Sequence, residues 1–208
     1  LSNSEYHLLQ HPKAKKFVDL VKRELKEYNM KLVFGRGKMV NGYKCRCSGY
    51  FDEERIVVAK NNRHWLSVLV HEYSHFLQWK KRDEEYEDMR INGKDCLVII
   101  DDWLDGVEYR PTTIEKAFIK VRRLEKTCDM IALSLIKKFK LPINEEYFTR
   151  QANCHVYYYH MMERTRKRYV NDRMFFNIMV YKAMPKTFHC KNVRYMPEKI
   201  YKIARRAF

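Results

Sequence analysis

The sequence predicts an α+β fold, in which a small twisted, mainly antiparallel sheet packs on one buried helix and a mostly helical C-terminal half follows. Three observations predict it. Short β-prone runs between residues 31 and 59 are separated by glycine and acidic turns. Residues 65 to 79 read Trp-Leu-Ser-Val-Leu-Val-His-Glu-Tyr-Ser-His-Phe-Leu-Gln-Trp, apolar nearly all the way round a helix, so that helix must be buried. From Pro111 onward apolar residues recur every three or four positions, the spacing of one helical face.

Taken in order, Pro12 suits the first turn of a helix, and Phe17, Val18, Val21 and Leu25 follow at helical spacing. The result is an amphipathic helix over residues 12 to 28, broken at Asn29. Lys31 to Phe34 is a strand that ends in the turn Gly35-Arg36-Gly37. Met39 to Cys47, Tyr50-Phe51 and Arg55 to Ala59 read as further strands, separated by Gly49 and by the acidic turn Asp52-Glu53-Glu54. Asn61 and Asn62 are good N-caps, so the buried helix starts directly after the last strand and runs to Arg82.

Asp83 to Asp88 is an acidic patch, expected as a solvated loop that could line a cleft for basic substrate residues. In residues 89 to 110 the pattern is weak. Cys96 to Ile100 fits a buried strand or one side of a helix, and Asp101, Asp102 and Asp105 form only a faint metal-ligand pattern. With Thr113 as cap, a long helix carries Phe118, Val121, Leu124, Cys128, Ile131, Leu135 and Phe139 on one face and stops before Pro142. Asn144 caps another helix reaching toward Asn171, Asp172 to Met184 forms one more, and Pro185 and Pro197 punctuate an irregular basic tail.

With 208 residues, 46% hydrophobic and 33% charged, the chain is expected to be a single globular domain with a sizeable core. No apolar run reaches the ~20 residues of a membrane span, since even Val68 to Leu77 is interrupted by polar residues, and no membrane partner is expected. Cys45, Cys47, Cys96, Cys128, Cys154 and Cys190 include no C-x-x-C pair, and the first residues show no basic region followed by an apolar core. These features point to free thiols and a cytoplasmic location. Cys45 and Cys47 with His189 and Cys190 could build a structural zinc site, or the cysteines are small buried hydrophobes. The formal charge of +16 favours an acidic partner such as nucleic acid, with denser groups at Lys13 to Lys16, Arg164 to Arg168 and Arg205-Arg206, and is equally the mark of a solvated basic surface.

His71, Glu72 and His75 spell H-E-x-x-H. Residues four apart share a helix face, so the two histidines can hold one zinc ion. Glu72 can then act as general base toward water if a third protein ligand leaves one position open. Glu125 and Asp129, four apart on the long helix, supply that ligand and a carboxylate partner for a ligand imidazole. As surface residues they would instead pair with Arg122, Arg123 or Lys126.

His71-Glu72-x-x-His75 followed by Glu125-x-x-x-Asp129 resembles the gluzincin branch of the zinc metallopeptidases, over residues 50 to 140. The resemblance implies one catalytic Zn2+ held by His71, His75 and Glu125, Glu72 as base and acid, Asp129 behind a ligand, and Arg55 to Ala59 as the edge strand that receives a protein or peptide substrate. It implies a single zincin-like domain over 1–208, built from 1–80, a variable insertion at 81–110 and a helical half at 111–208. Gln78 and Lys81 stand where metzincins have glycine and histidine. In size and lack of secretion signals the chain resembles small intracellular, phage-type or SprT-like zincins, which implies the host cytoplasm if it is phage-encoded. The SprT-like third histidine is absent. His155, Tyr157, Tyr158, Tyr159 and His160 are the candidates for assisting the transition state. Two other readings remain: a nucleic-acid-associated or regulatory protein with a degenerate zincin fold, and a domain stapled by structural zinc.

Overall fold

The computed structural model describes residues 11–42, 46–168, 173–188 and 192–207. It is an α+β chain with a small mixed sheet and a mostly helical C-terminal half. The chain divides into two compact units, Leu1–Lys81 with Ile131–Glu145, and Arg82–Met130 with Glu146–Phe208. Among the described residues no helix is long and apolar enough to cross a membrane.

The first unit opens with α1 (Pro12–Glu27), which buries Ala14, Phe17, Val18, Val21 and Leu25. Its start is set by Pro12 and by the His11 side chain, which accepts from the Lys13 N–H. At its end Asn29 takes a left-handed φ of 58°, and the Met30 N–H donates back to the Leu25 carbonyl at 2.9 Å. That is a Schellman cap, with asparagine in the position usually taken by glycine.

Five strands follow: β1 (Lys31–Gly35), β2 (Val40–Asn41), β3 (Arg46–Cys47), β4 (Gly49–Phe51) and β5 (Arg55–Ala59). β2 and β3 pair as a separate antiparallel ladder. The main sheet has the order β1-β5-β4, with β1 parallel and β4 antiparallel to β5. Two expectations are corrected here: the three-stranded sheet is mixed, and Arg55–Ala59 is its central strand, not an edge. The reason lies in the strand itself. Ile56, Val57, Val58 and Ala59 are all buried, so both faces and both edges need partners. The β4–β5 connection is fixed by Asp52, whose Oδ1 accepts from the Arg55 N–H at 3.1 Å while Glu53 adopts a φ of 61°.

The buried helix α2 (Trp65–Lys81) begins after a turn in which the Asn62 side chain accepts from the His64 N–H at 2.8 Å. It buries Trp65, Leu69, Tyr73 and Phe76. Phe17 of α1 meets Tyr73 edge-on at 5.6 Å, and Phe51 of β4 meets Phe76 at 6.2 Å. Each such ring contributes roughly 1.5–3 kcal/mol through burial.

In the second unit, the patch expected as a loop is a one-turn helix, α3 (Glu84–Glu87), capped by Asp83. A two-residue hairpin, β6 (Arg90–Ile91) and β7 (Lys94–Asp95), turns through Asn92 and Gly93, both at positive φ. α4 (Cys96–Leu104) settles the ambiguous apolar run as helix. α5 (Pro111–Phe139) begins in this unit and contributes its C-terminal end to the first. Ile99, Phe118, Val121 and Met162 form one core cluster, the last from α6 (Glu145–Thr165). A second cluster joins α6 to α7 (Arg173–Phe176), α8 (Ile178–Ala183) and α9 (Glu198–Ala207). The helix expected over 172–184 is thus broken, because Asn177 caps α8 through Met179 and Val180. The expected irregular tail ends as a helix that buries Ile200, Ala204 and Ala207.

Candidate metal centre

On α2, His71 and His75 are half-buried and Glu72 is 8% exposed. The two imidazole rings lie 4.8 Å apart with planes at 88°. His75 Nδ1 stands 3.0 Å from the amide oxygen of Gln78, which is fully buried. An Nδ1–H donated to that oxygen selects the tautomer that leaves Nε2 as the lone-pair nitrogen, the arrangement typical of ligand histidines.

Strand β4 braces the same helix through Gly49. A Cβ built there would stand 2.5 Å from Val68 Cγ1, 2.8 Å from the Val57 carbonyl oxygen and 3.4 Å from Glu72 Cγ. Only glycine lets the strand approach the motif this closely.

On α5, Glu125 and Asp129 are buried one turn apart, 7% and 3% exposed. Glu125 meets two residues of α6. Tyr159 Oη donates to Oε1 at 3.4 Å, and His155 Nδ1 lies 3.6 Å from Oε2. His155 and Tyr159 are a helical turn apart with rings at 5.5 Å. The neighbouring candidates are packed elsewhere. Tyr157 is buried in the second cluster, its hydroxyl pushed up to about 12 by burial. Tyr158 packs against both clusters. His160 is pushed down to about 3 by burial and by the Arg122 charge, so its neutral ring donates Nε2–H to the Asn192 carbonyl at 2.6 Å.

Imidazole, thiolate and carboxylate are the donors zinc takes. α2 offers the imidazoles of His71 and His75, while α5 and α6 offer the Cys128 thiol, the Glu125 and Asp129 carboxylates and the His155 imidazole. These donor types suit a metal ion of that kind.

Sequence reasoning overlooked Cys128, which it placed on the apolar face of α5, and Gln78, which it used only as a departure from another motif. The one available signal was position. Cys128 lies beside Asp129, and Gln78 follows His75 by three residues on the same helix. The faint aspartate pattern is absorbed by ion pairs: Asp102 with Lys94 at 2.6 Å and Asp101 with Arg168. Of the proposed second zinc set, Cys45, His189 and Cys190 lie outside the described residues. Cys96 and Cys154 are buried thiols pushed up to about 11 and about 12 by desolvation.

Comparison with protein-family models, curated proteins and solved structures finds no match for this chain. The functional reading rests on the residues and their geometry.

Proposed function

We propose that the chain is a zinc-dependent metallopeptidase of the gluzincin kind. The observation that carries the reading is the pair His71 and His75, with rings 4.8 Å apart on α2, beside the buried Glu72. His71, His75 and a carboxylate of the Glu125-x-x-x-Asp129 pair would hold the ion, the resemblance favouring Glu125. Bound zinc supplies Lewis acidity toward a water molecule and a peptide carbonyl. Glu72 takes the proton from that water and returns it to the leaving amine. Tyr159 and His155 stand against Glu125 and are suited to hydrogen-bond a developing oxyanion. β4, at the edge of the main sheet and braced on α2 through Gly49, takes the role of substrate strand that the sequence reading gave to β5.

The buried thiol of Cys128, next to Asp129 on α5, supports a second reading, in which zinc closed by protein ligands alone is a folding staple. Zinc content of the purified protein and hydrolysis of an unstructured protein substrate separate the two. In a peptidase Glu72→Gln keeps zinc and loses about 10²–10⁴-fold in turnover, and Cys128→Ser stays active. Asp129→Ala and Glu125→Ala identify the third ligand by which of them releases the metal. Purified protein without zinc, or Glu72→Gln with full turnover, would overturn the peptidase reading. Zinc lost on Cys128→Ser, with no hydrolysis by the wild type, establishes the staple.

A further inference from the structure

The second unit carries an open cleft of about 600 Å³ that the metal centre does not use, lined among others by Arg123, Lys126, Arg194, Tyr195, Met130 and Glu85. Its volume lies within the ~300–1,000 Å³ of small-ligand sites. Three cations face one carboxylate. Four other arginines of this unit are neutralised: Arg122 by Glu163, Arg150 by Glu146, Arg164 by Glu198 and Arg166 by Glu108. Arg123 and Arg194 have no carboxylate within 4.0 Å among the described residues.

The cleft is also built, because the segment that presents Arg194 and Tyr195 is clamped from beneath. Arg122 Nε donates to the Val193 carbonyl at 2.6 Å, His160 holds the Asn192 carbonyl, and the Asn192 side chain donates to Asn153 at 3.0 Å. Asn192 is fully buried and Val193 is 7% exposed, whereas Tyr195 is 57% exposed. A rigid, buried anchor thus presents a cation and an unburied ring to solvent. On α5, Arg123, Lys126 and Met130 follow one another at steps of three and four residues and so share one side of the helix.

We propose that this cleft binds single-stranded nucleic acid, with phosphates on Arg123, Lys126 and Arg194 and a base stacked on Tyr195. An exposed aromatic ring beside the unneutralised Arg123 and Arg194 is the pairing by which single strands are held, the cations following the backbone and the ring accepting any base. The chain's charge of +16 steers such a ligand toward it. An acidic peptide would use the cations and leave the ring idle.

The test is fluorescence anisotropy with a labelled single-stranded DNA of about 12 nucleotides, the same sequence as duplex, and a labelled poly-glutamate peptide. Single-strand affinity should fall with salt at a log–log slope near −2, as expected for about three neutralised phosphates. Tyr195→Ala should weaken it roughly five- to a hundredfold, with Tyr195→Phe retaining it. Arg123→Ala with Arg194→Ala should remove about 1.4 from that slope, while the exposed pair Arg205→Ala with Arg206→Ala leaves it within about 0.3. Equal losses from the two arginine pairs, full affinity in Tyr195→Ala, or equal binding of duplex or poly-glutamate would each overturn the proposal. Thermal melting of every variant checks that the fold is intact. Glu72→Gln should bind the strand as the wild type does, so this outcome and that of the peptidase assay are read independently.

Discussion

His75 and His160 each have one ring nitrogen tied to an oxygen, His75 to the Gln78 amide at 3.0 Å and His160 to the Asn192 carbonyl at 2.6 Å. Their surroundings then diverge. His75 is half-buried, with the His71 ring at 4.8 Å and the Gln78 amide beside it. His160 is 5% exposed and packed near the guanidinium of Arg122, which repels a proton and would repel a metal ion alike. A hydrogen-bonded histidine is therefore not by its bonding either a ligand or a structural residue. The charge of its neighbours decides, with donors around one ring and a cation beside the other.

The comparison can be broken most forcefully at Arg122. It is 2% exposed, its guanidinium is held 2.6 Å from Glu163, and burial lowers its pKa. Arg122→Ala should destabilise the protein by about 3–5 kcal/mol in chemical denaturation, because it strands Glu163 and frees the 192–195 segment. At the other histidine, Gln78→Ala should weaken zinc affinity about 10–100-fold in competition with a chelator, with little change in the melting of the metal-free protein.

The smallest effect is a pH slope. His160 has a folded pKa depressed from the ordinary 6.5 to about 3, so its contribution is fully present above pH 6.5 and is lost as pH falls toward 3. In that window the unfolded chain binds the extra proton, and stability should fall with decreasing pH by up to about 1.4 kcal/mol per unit. Denaturation at several pH values between 5 and 7 should show this slope in the wild type and a shallower one in His160→Asn. Parallel curves would mean that His160 can be charged within the fold.

Local chemistry made much of the fold legible. α1 carries its proline start, its asparagine stop and its apolar stripe within its own residues, and α5 likewise repeats its face over most of its length. The β1–β5 pairing was not legible, since parallel partners are set by contacts between distant segments and not by either strand's own pattern. Asn92-Gly93 was a readable turn that the short flanking strands obscured. For α9 the signal was there in Ile200, Ala204 and Ala207, but the surrounding lysines and arginines suggested a tail. At the candidate site, periodicity brought His71 to His75 and Glu125 to Asp129. Which residues of the tyrosine and histidine run in α6 face Glu125 depends on the rotation of that helix, fixed by packing on both sides.

Gly49 has a consequence for recognising related chains. A strand that rests on a helix without a side chain between them sets a fixed gauge, and a methyl group at this position would force Val68 and the Val57 carbonyl apart. A chain that keeps the histidines and glutamate of the motif but carries a larger residue at this strand position must hold its strand farther from the helix. The glycine ahead of the motif is thus a marker of the same architecture, independent of the metal ligands and readable in sequence alone.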